Sequence, residues 1–188
     1  MTLTASSSGR RPPRVVAALA ALLAAALPAG PAPATAAEDK PSEYAVKAAF
    51  LRSAVRLVDW TAERRVPLEV CVLGEDPFGP SLDAIRGTAG DLSIEVQRHA
   101  DARDARECEV VFVARSERAH LKTILATLAG GGALTVGDTE GFAAQGVILN
   151  FYLDGSKVRF EVNVDAARQA GVPLQPRLVS LGRVVRGS

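Results

Sequence analysis

Apolar positions change their period several times along the chain, and each change predicts an element. Tyr44, Ala48, Leu51, Val55 and Val58 recur at three- and four-residue steps, which is one apolar helical face. Lys47, Arg52 and Arg56 fall at other positions. Ser42 suits the N-cap, and Glu43 puts negative charge in the first turn, where the helix dipole favours it. This helix is expected to end around Asp59-Trp60-Thr61, with Trp60 packed as a lid over the core. Leu68 to Leu73 is rich in β-favouring residues and closes at Gly74. A short helix follows from Ser81 to Ile85, and Ser93 to Gln97 alternates as a second strand. Asp101 to Glu107 is charged and solvated. Val110-Val111-Phe112-Val113 is a continuous apolar run, expected of a strand buried on both faces.

Ser116 is placed as the cap of the next helix, whose Leu121, Ile124, Leu125 and Leu128 share a stripe before Gly130-Gly131-Gly132 stops it. Leu134-Thr135-Val136 then ends at Gly137-Asp138, and a compact turn follows over Thr139-Glu140-Gly141-Phe142. Val147 to Leu153 and Lys157 to Asn163 flank Asp154-Gly155-Ser156, a strong hairpin signal because the turn needs positive φ. Val158, Phe160 and Val162 alternate with Lys157, Arg159, Glu161 and Asn163, so this strand is expected to be half buried and near a sheet edge. A short helix over Asp165 to Ala170 ends at Gly171. Beyond Pro173 and Pro176, Leu178, Leu181 and Val185 predict a last helix with Arg183 and Arg186 at its C-terminal end. Strands alternating with helices give an α/β fold: a mostly parallel central sheet of five to six strands flanked by helices, with a C-terminal antiparallel hairpin. The simplest arrangement sets the Cys71 strand beside Val110–Val113.

Composition changes this picture at the N-terminus. Arg10, Arg11 and Arg14 precede an apolar run from Val15 to Leu27, and Ala34-Thr35-Ala36 offers a small-residue cleavage site. That pattern is a secretory signal, too short and wrongly flanked for a membrane span. Residues 1–37 are therefore expected to be removed, leaving 38–188 as a single domain. Their removal takes three of the 22 basic residues and none of the 21 acidic ones, so 19 oppose 21 and the net charge is near −2. This balance supports neither a nucleic-acid footprint nor a polybasic membrane patch. Export places Cys71 and Cys108, the only two cysteines, in an oxidising compartment where a pair usually bonds. Such a bond closes a long loop and stabilises by roughly 3–4 kcal/mol.

Catalytic signals are thin. His99 and His120 are the only histidines, and neither lies in HExxH or HxH spacing. There is no CxxC, and no metal site is visible at workable ligand spacing. GxSxG, GxGxxG and P-loop motifs are absent. Glu75-Asp76, Arg115 with Ser116, and Asp138 could converge at the carboxyl edge of the sheet, where α/β folds bind ligands. Loop and cap roles are the blander reading of the same residues. The first helix and the Gly141-Phe142 turn are the candidate partner contacts, since exposed apolar turn residues often serve contacts.

Taken together, several fragments resemble the YfiR family of bacterial periplasmic proteins, from about Tyr44 to Val185. They are Lys47-Ala48-Ala49-Phe50-Leu51 with Trp60, Val70-Cys71-Val72-Leu73-Gly74-Glu75-Asp76-Pro77-Phe78-Gly79, and Cys108 before Val111-Phe112-Val113. Leu134-Thr135-Val136-Gly137-Asp138, Gly141-Phe142, Ile148-Leu149-Asn150-Phe151, Arg159-Phe160-Glu161-Val162-Asn163 and Leu178-Val179-Ser180-Leu181 complete the set. The resemblance implies a periplasmic regulator, not an enzyme and without a cofactor. It would bind and repress the periplasmic sensor domain of an inner-membrane diguanylate cyclase, and so lower cyclic-di-GMP. An outer-membrane lipoprotein is a second implied partner; a homodimer is open as well. Some members carry a second cysteine pair that this chain lacks, and Thr61 stands where the family commonly has proline. The competing reading is a periplasmic small-ligand binder without catalytic activity, using the edge near Gly74 to Asp76, Arg115 and Asp138. A hydrolase would need turnover that Asp138→Ala abolishes.

Overall fold

The computed structural model describes residues 42–60, 67–89 and 92–187. The expected leader, residues 1–37, and Thr61 lie outside them. The described chain opens with α1 (Glu43–Val55), capped by Ser42, whose hydroxyl accepts from Ala45 N. Helix α1 ends four residues before Asp59: Leu57 N donates to Ala54 O, and Val58 forms an isolated bridge with Leu174. Trp60 does pack on the core, and its indole Nε1 donates to Val55 O at 2.7 Å, closing the end of the helix.

Eight strands form one sheet: β1 (Leu68–Leu73), β2 (Gly87–Ala89), β3 (Leu92–His99), β4 (Val110–Val113), β5 (Leu134–Gly137), β6 (Leu149–Asp154), β7 (Lys157–Asn163) and β8 (Arg183–Val185). Their order is β2-β3-β1-β4-β5-β6-β7-β8. Strands β3, β1, β4, β5 and β6 run parallel, and β6 and β7 make the antiparallel hairpin. The α/β fold and the hairpin are as the apolar pattern predicts. Two short strands, β2 and β8, extend the sheet at its edges beyond the expected five to six.

Strands β1 and β4 lie side by side, with Cys71 opposite Val111. Because side chains alternate across a strand, these two strands feed two cores. Val70, Val72, Val110 and Phe112 join α1, α2 (Pro80–Asp83), α4 (Val164–Gln169) and α5 (Pro176–Leu181) on one face. Cys71, Leu73, Val111 and Val113 join α3 (Leu121–Leu128) on the other. Cover on both faces is what a parallel sheet of continuous apolar strands requires.

Two helix expectations are corrected. Ser116 does not cap α3: a 3-10 turn over Arg115–His120 precedes that helix, and Ser116 Oγ instead accepts from Glu75 N at 3.0 Å. The last helix stops at Leu181, not Val185. A Cβ at Gly182 would lie 2.5 Å from Val162 Cγ2 and 2.6 Å from Phe160 Cε2. Only glycine lets the chain press this closely on β7 and continue beside it as β8, so Arg183 and Val185 belong to a strand.

Candidate functional site

Helix α1 presents two working faces. Its inner face carries Ala48, Leu51 and Val55 into the core. Ala45, Ala49 and Phe50, on the outer side, wall a groove whose floor is Phe151 and Phe160 and whose far wall is Leu178 and Leu181 of α5. The groove encloses about 360 Å³ and is almost wholly apolar. Phe50 is 38% exposed and Leu181 62% exposed, so both reach solvent at its rim. The Phe50 ring lies 6.2 Å from that of Phe160 and 6.4 Å from that of Phe151, a small aromatic cluster open on one side.

The wall is pinned by a buried ion pair. Lys47 Nζ donates to Asp138 Oδ2 at 2.8 Å, and the two side chains are only 4% and 5% exposed. Tyr44 OH donates to the same oxygen at 2.9 Å. Lys47 also meets Glu43 at 2.5 Å and sits 4.4 Å above the Tyr44 ring. Burial pulls the Lys47 ammonium down, but its hydrogen bonds to Asp138 and Glu43 outweigh this and leave its pKa raised. Tyr44 is raised as well, by burial and then by the Asp138 charge and hydrogen bond. Asp138 directly follows β5, so the pair fastens α1 to the carboxyl edge of the sheet.

That edge holds the residues singled out from the sequence, and they are engaged separately or exposed. Asp76 Oδ1 accepts from Phe78 N at 2.7 Å and its Oδ2 from Arg98 Nε at 2.7 Å, so it orders its own loop. Exposed Glu75 meets Ser116 only through its backbone N–H, while Arg115 is exposed at the start of the 3-10 turn. Asp138 is committed to Lys47 and Tyr44. An aromatic chain also runs from Tyr44 to Phe78 and on to Phe112.

Phe142 is corrected outright: it is fully buried, not an exposed turn contact. Its ring lies over Gly137, where a Cβ would fall 2.8 Å from Phe142 Cδ2, so the turn folds its apolar residue inward. The first helix does supply a surface, through Phe50 and Ala49. Lys47 escaped sequence reasoning, although its position three after Tyr44 and four before Leu51 lies within the apolar stripe.

Cys71 and Cys108 are joined by a disulfide, with Cα atoms 6.1 Å apart. It ties the interior of β1 to the residue two before β4. The imidazole of His99 lies beside it, the ligand atoms of Cys71, His99 and Cys108 all being within 4.8 Å of one another. No described helix is long and apolar enough to cross a membrane.

A family profile described as YfiR/HmsC-like matches residues 44–183. Among solved structures, a conserved domain protein from Vibrio cholerae O1 biovar eltor is similar, with TM-score 0.55 and 11% identity over 76% of this chain and 60% of that one. The ABC domain from Streptococcus pneumonia, solved in complex with L-Trp, is similar with TM-score 0.52 and 8% identity over 76% and 62%. The chain thus spans about three fifths of the length of both, and at these identities the likeness is one of fold.

Proposed function

The chain belongs to the YfiR/HmsC-like family, periplasmic regulators in cyclic-di-GMP signalling, and on that premise we propose that it acts by docking a partner protein in the α1–α5 groove. The partner proposed is the periplasmic sensor domain of an inner-membrane diguanylate cyclase, which the docked chain holds inactive. Residues 1–37 are proposed as the export signal, and 38–188 as the single regulatory domain.

The groove is the observation that carries this reading. Its lining is apolar, it is rimmed by exposed Phe50 and Leu181, and its walls are held by α1 and α5. Such a surface fits a few buried anchor side chains of a partner, the pattern that dominates protein–protein affinity. Lys47 and Asp138 do not line it; they neutralise each other and serve the scaffold. The test is binding of the purified protein to the isolated periplasmic domain of a diguanylate cyclase from the same organism. Complex formation at micromolar concentration, lost in Phe50→Glu, is the expected result. Binding that survives Phe50→Glu and Leu181→Glu together would move the interface elsewhere, and no binding would remove the cyclase.

A small-ligand binder is the second reading, because a groove of about 360 Å³ falls within the size range of small-molecule sites. A metabolite that raises the melting temperature of wild type but not of Phe50→Glu would favour it.

A further inference from the structure

We propose that reduction of the Cys71–Cys108 disulfide turns it into a metal site, in which the two cysteines and His99 hold one thiophilic divalent cation of the zinc type. The placement follows from the register of the sheet. Strands β1 and β3 are parallel, with Cys71 opposite Gln97 and Leu73 opposite His99. Cys71, Leu73 and His99 thus stand on one face, two residues apart along their strands, and Cys108 arrives on that face just ahead of β4. The ligand atoms of all three lie within 4.8 Å of one another.

A tetrahedral zinc ion with bonds of about 2.3 Å to sulfur and 2.0–2.1 Å to nitrogen spans donors roughly 3.5–4 Å apart. Once the S–S bond is broken, the two sulfurs need only separate by rotation about their own side chains to reach that spacing. Three protein donors leave a fourth position for water.

The chemistry balances with a dithiol as reductant. Its two thiols give two electrons and two protons to the Cys71–Cys108 bond, yielding two cysteine thiols and the oxidised cyclic disulfide of the reagent. Cation binding then releases both cysteine protons to solvent, and each thiolate and the neutral imidazole donate one electron pair. Cys71 is fully buried and Cys108 nearly so, among Leu73, Ala105, Val111 and Leu121. Two bare thiolates are costly in such surroundings, whereas a bound cation neutralises them. His99, half-buried at the end of β3, is the side of the cluster nearest solvent and so the point of entry. The oxidised chain has no such site, because its sulfurs are bonded to each other. Metal uptake therefore reports the redox state of the protein, and the cation replaces the covalent tie between β1 and β4.

The test uses the purified protein, oxidised and reduced, titrated with Co²⁺ under argon and then with Zn²⁺ in competition. The reduced wild type should take up one equivalent of cobalt, with thiolate-to-cobalt charge transfer and tetrahedral ligand-field bands that zinc erases. The oxidised protein should show neither. His99→Ala in the reduced state should bind more weakly by at least the roughly 10–100-fold that loss of a supporting residue costs a metal site. The oxidised His99→Ala protein should melt as wild type does, which separates ligand loss from misfolding. Absence of cobalt uptake by the reduced wild type, whether or not circular dichroism finds it folded, overturns the proposal. Equal uptake by reduced His99→Ala overturns it too.

Discussion

Replacing Asp138 with alanine strands Lys47 inside the protein. Two unit charges 2.8 Å apart attract by roughly 6 kcal/mol at an effective dielectric of about 20. The cost of dehydrating both ions offsets most of that, so the pair itself contributes little net stability. Breaking it is a different matter, since the desolvated ammonium then remains without its main counter-charge. Glu43 at 2.5 Å and the Tyr44 ring at 4.4 Å give Lys47 partial relief. The expected loss is therefore about 3 kcal/mol, the lower end for a broken buried pair. Urea unfolding of the oxidised protein measures it, as a fall in midpoint at constant slope. Lys47→Met should cost a similar amount, and the double variant less than the two together by about 1.5 kcal/mol or more. A cost under about 1 kcal/mol for Asp138→Ala, as for an exposed pair, would refute the reasoning. Strict additivity in the double variant would do the same.

The same centre sets a pH dependence. Tyr44 and Lys47 both hold their protons more tightly folded than their ordinary values of 10.0 and 10.5. Their stabilisation is complete below those values and is lost as pH rises through the raised folded ones. Unfolding midpoints should therefore be flat near neutrality and fall above pH of about 10, less steeply in Asp138→Asn. Cys71→Ser, or reduction without added metal, should lower stability by about 3–4 kcal/mol, as closure of a loop whose ends lie 37 positions apart implies; equal melting of oxidised and reduced protein would count against it. Gly182→Ala should cost about 1–3 kcal/mol by overpacking against Phe160 and Val162, read by the same unfolding assay. Phe50→Glu, which gives up the ring contacts to Phe151 and Phe160, should cost about 0.5–1.5 kcal/mol and leave the protein folded, read by the same unfolding assay.

Much of the fold was legible because its strands differ sharply in pattern. Val110 to Val113 reads as buried on both faces and folds so; Lys157 to Val162 alternates as read, but Asn163, read on the polar face, is buried, donating to Ala143 O and capping α4. Strand β8 was not legible: Leu178, Leu181 and Val185 keep a helical period, and the close approach of Gly182 to β7 is a tertiary fact. Phe142 was misread because an apolar residue in a turn was read as an exposed contact, while its ring lies inward over Gly137. Lys47 was set off the apolar face of the first helix, although it is buried beside that face. Its partner Asp138 is 91 residues away, at a separation no local pattern encodes. The proximity of His99 to the disulfide depends on the β1–β3 register, so spacing alone excluded a metal that the sheet makes geometrically reasonable. The groove was not legible: the apolar stripe read from the sequence is the side that carries Ala48, Leu51 and Val55 into the core, whereas Ala45, Ala49 and Phe50 wall the groove.

The central claim, that the α1–α5 groove represses a diguanylate cyclase, is tested most directly by cellular cyclic-di-GMP. The strains compared would lack this chain, or carry wild type, or carry Phe50→Glu with export and abundance matched by immunoblot of the periplasm. The account predicts a rise in the deletion strain, return to the parental level with wild type, and no return with Phe50→Glu. An unchanged level in the deletion strain, or full restoration by Phe50→Glu, would contradict it.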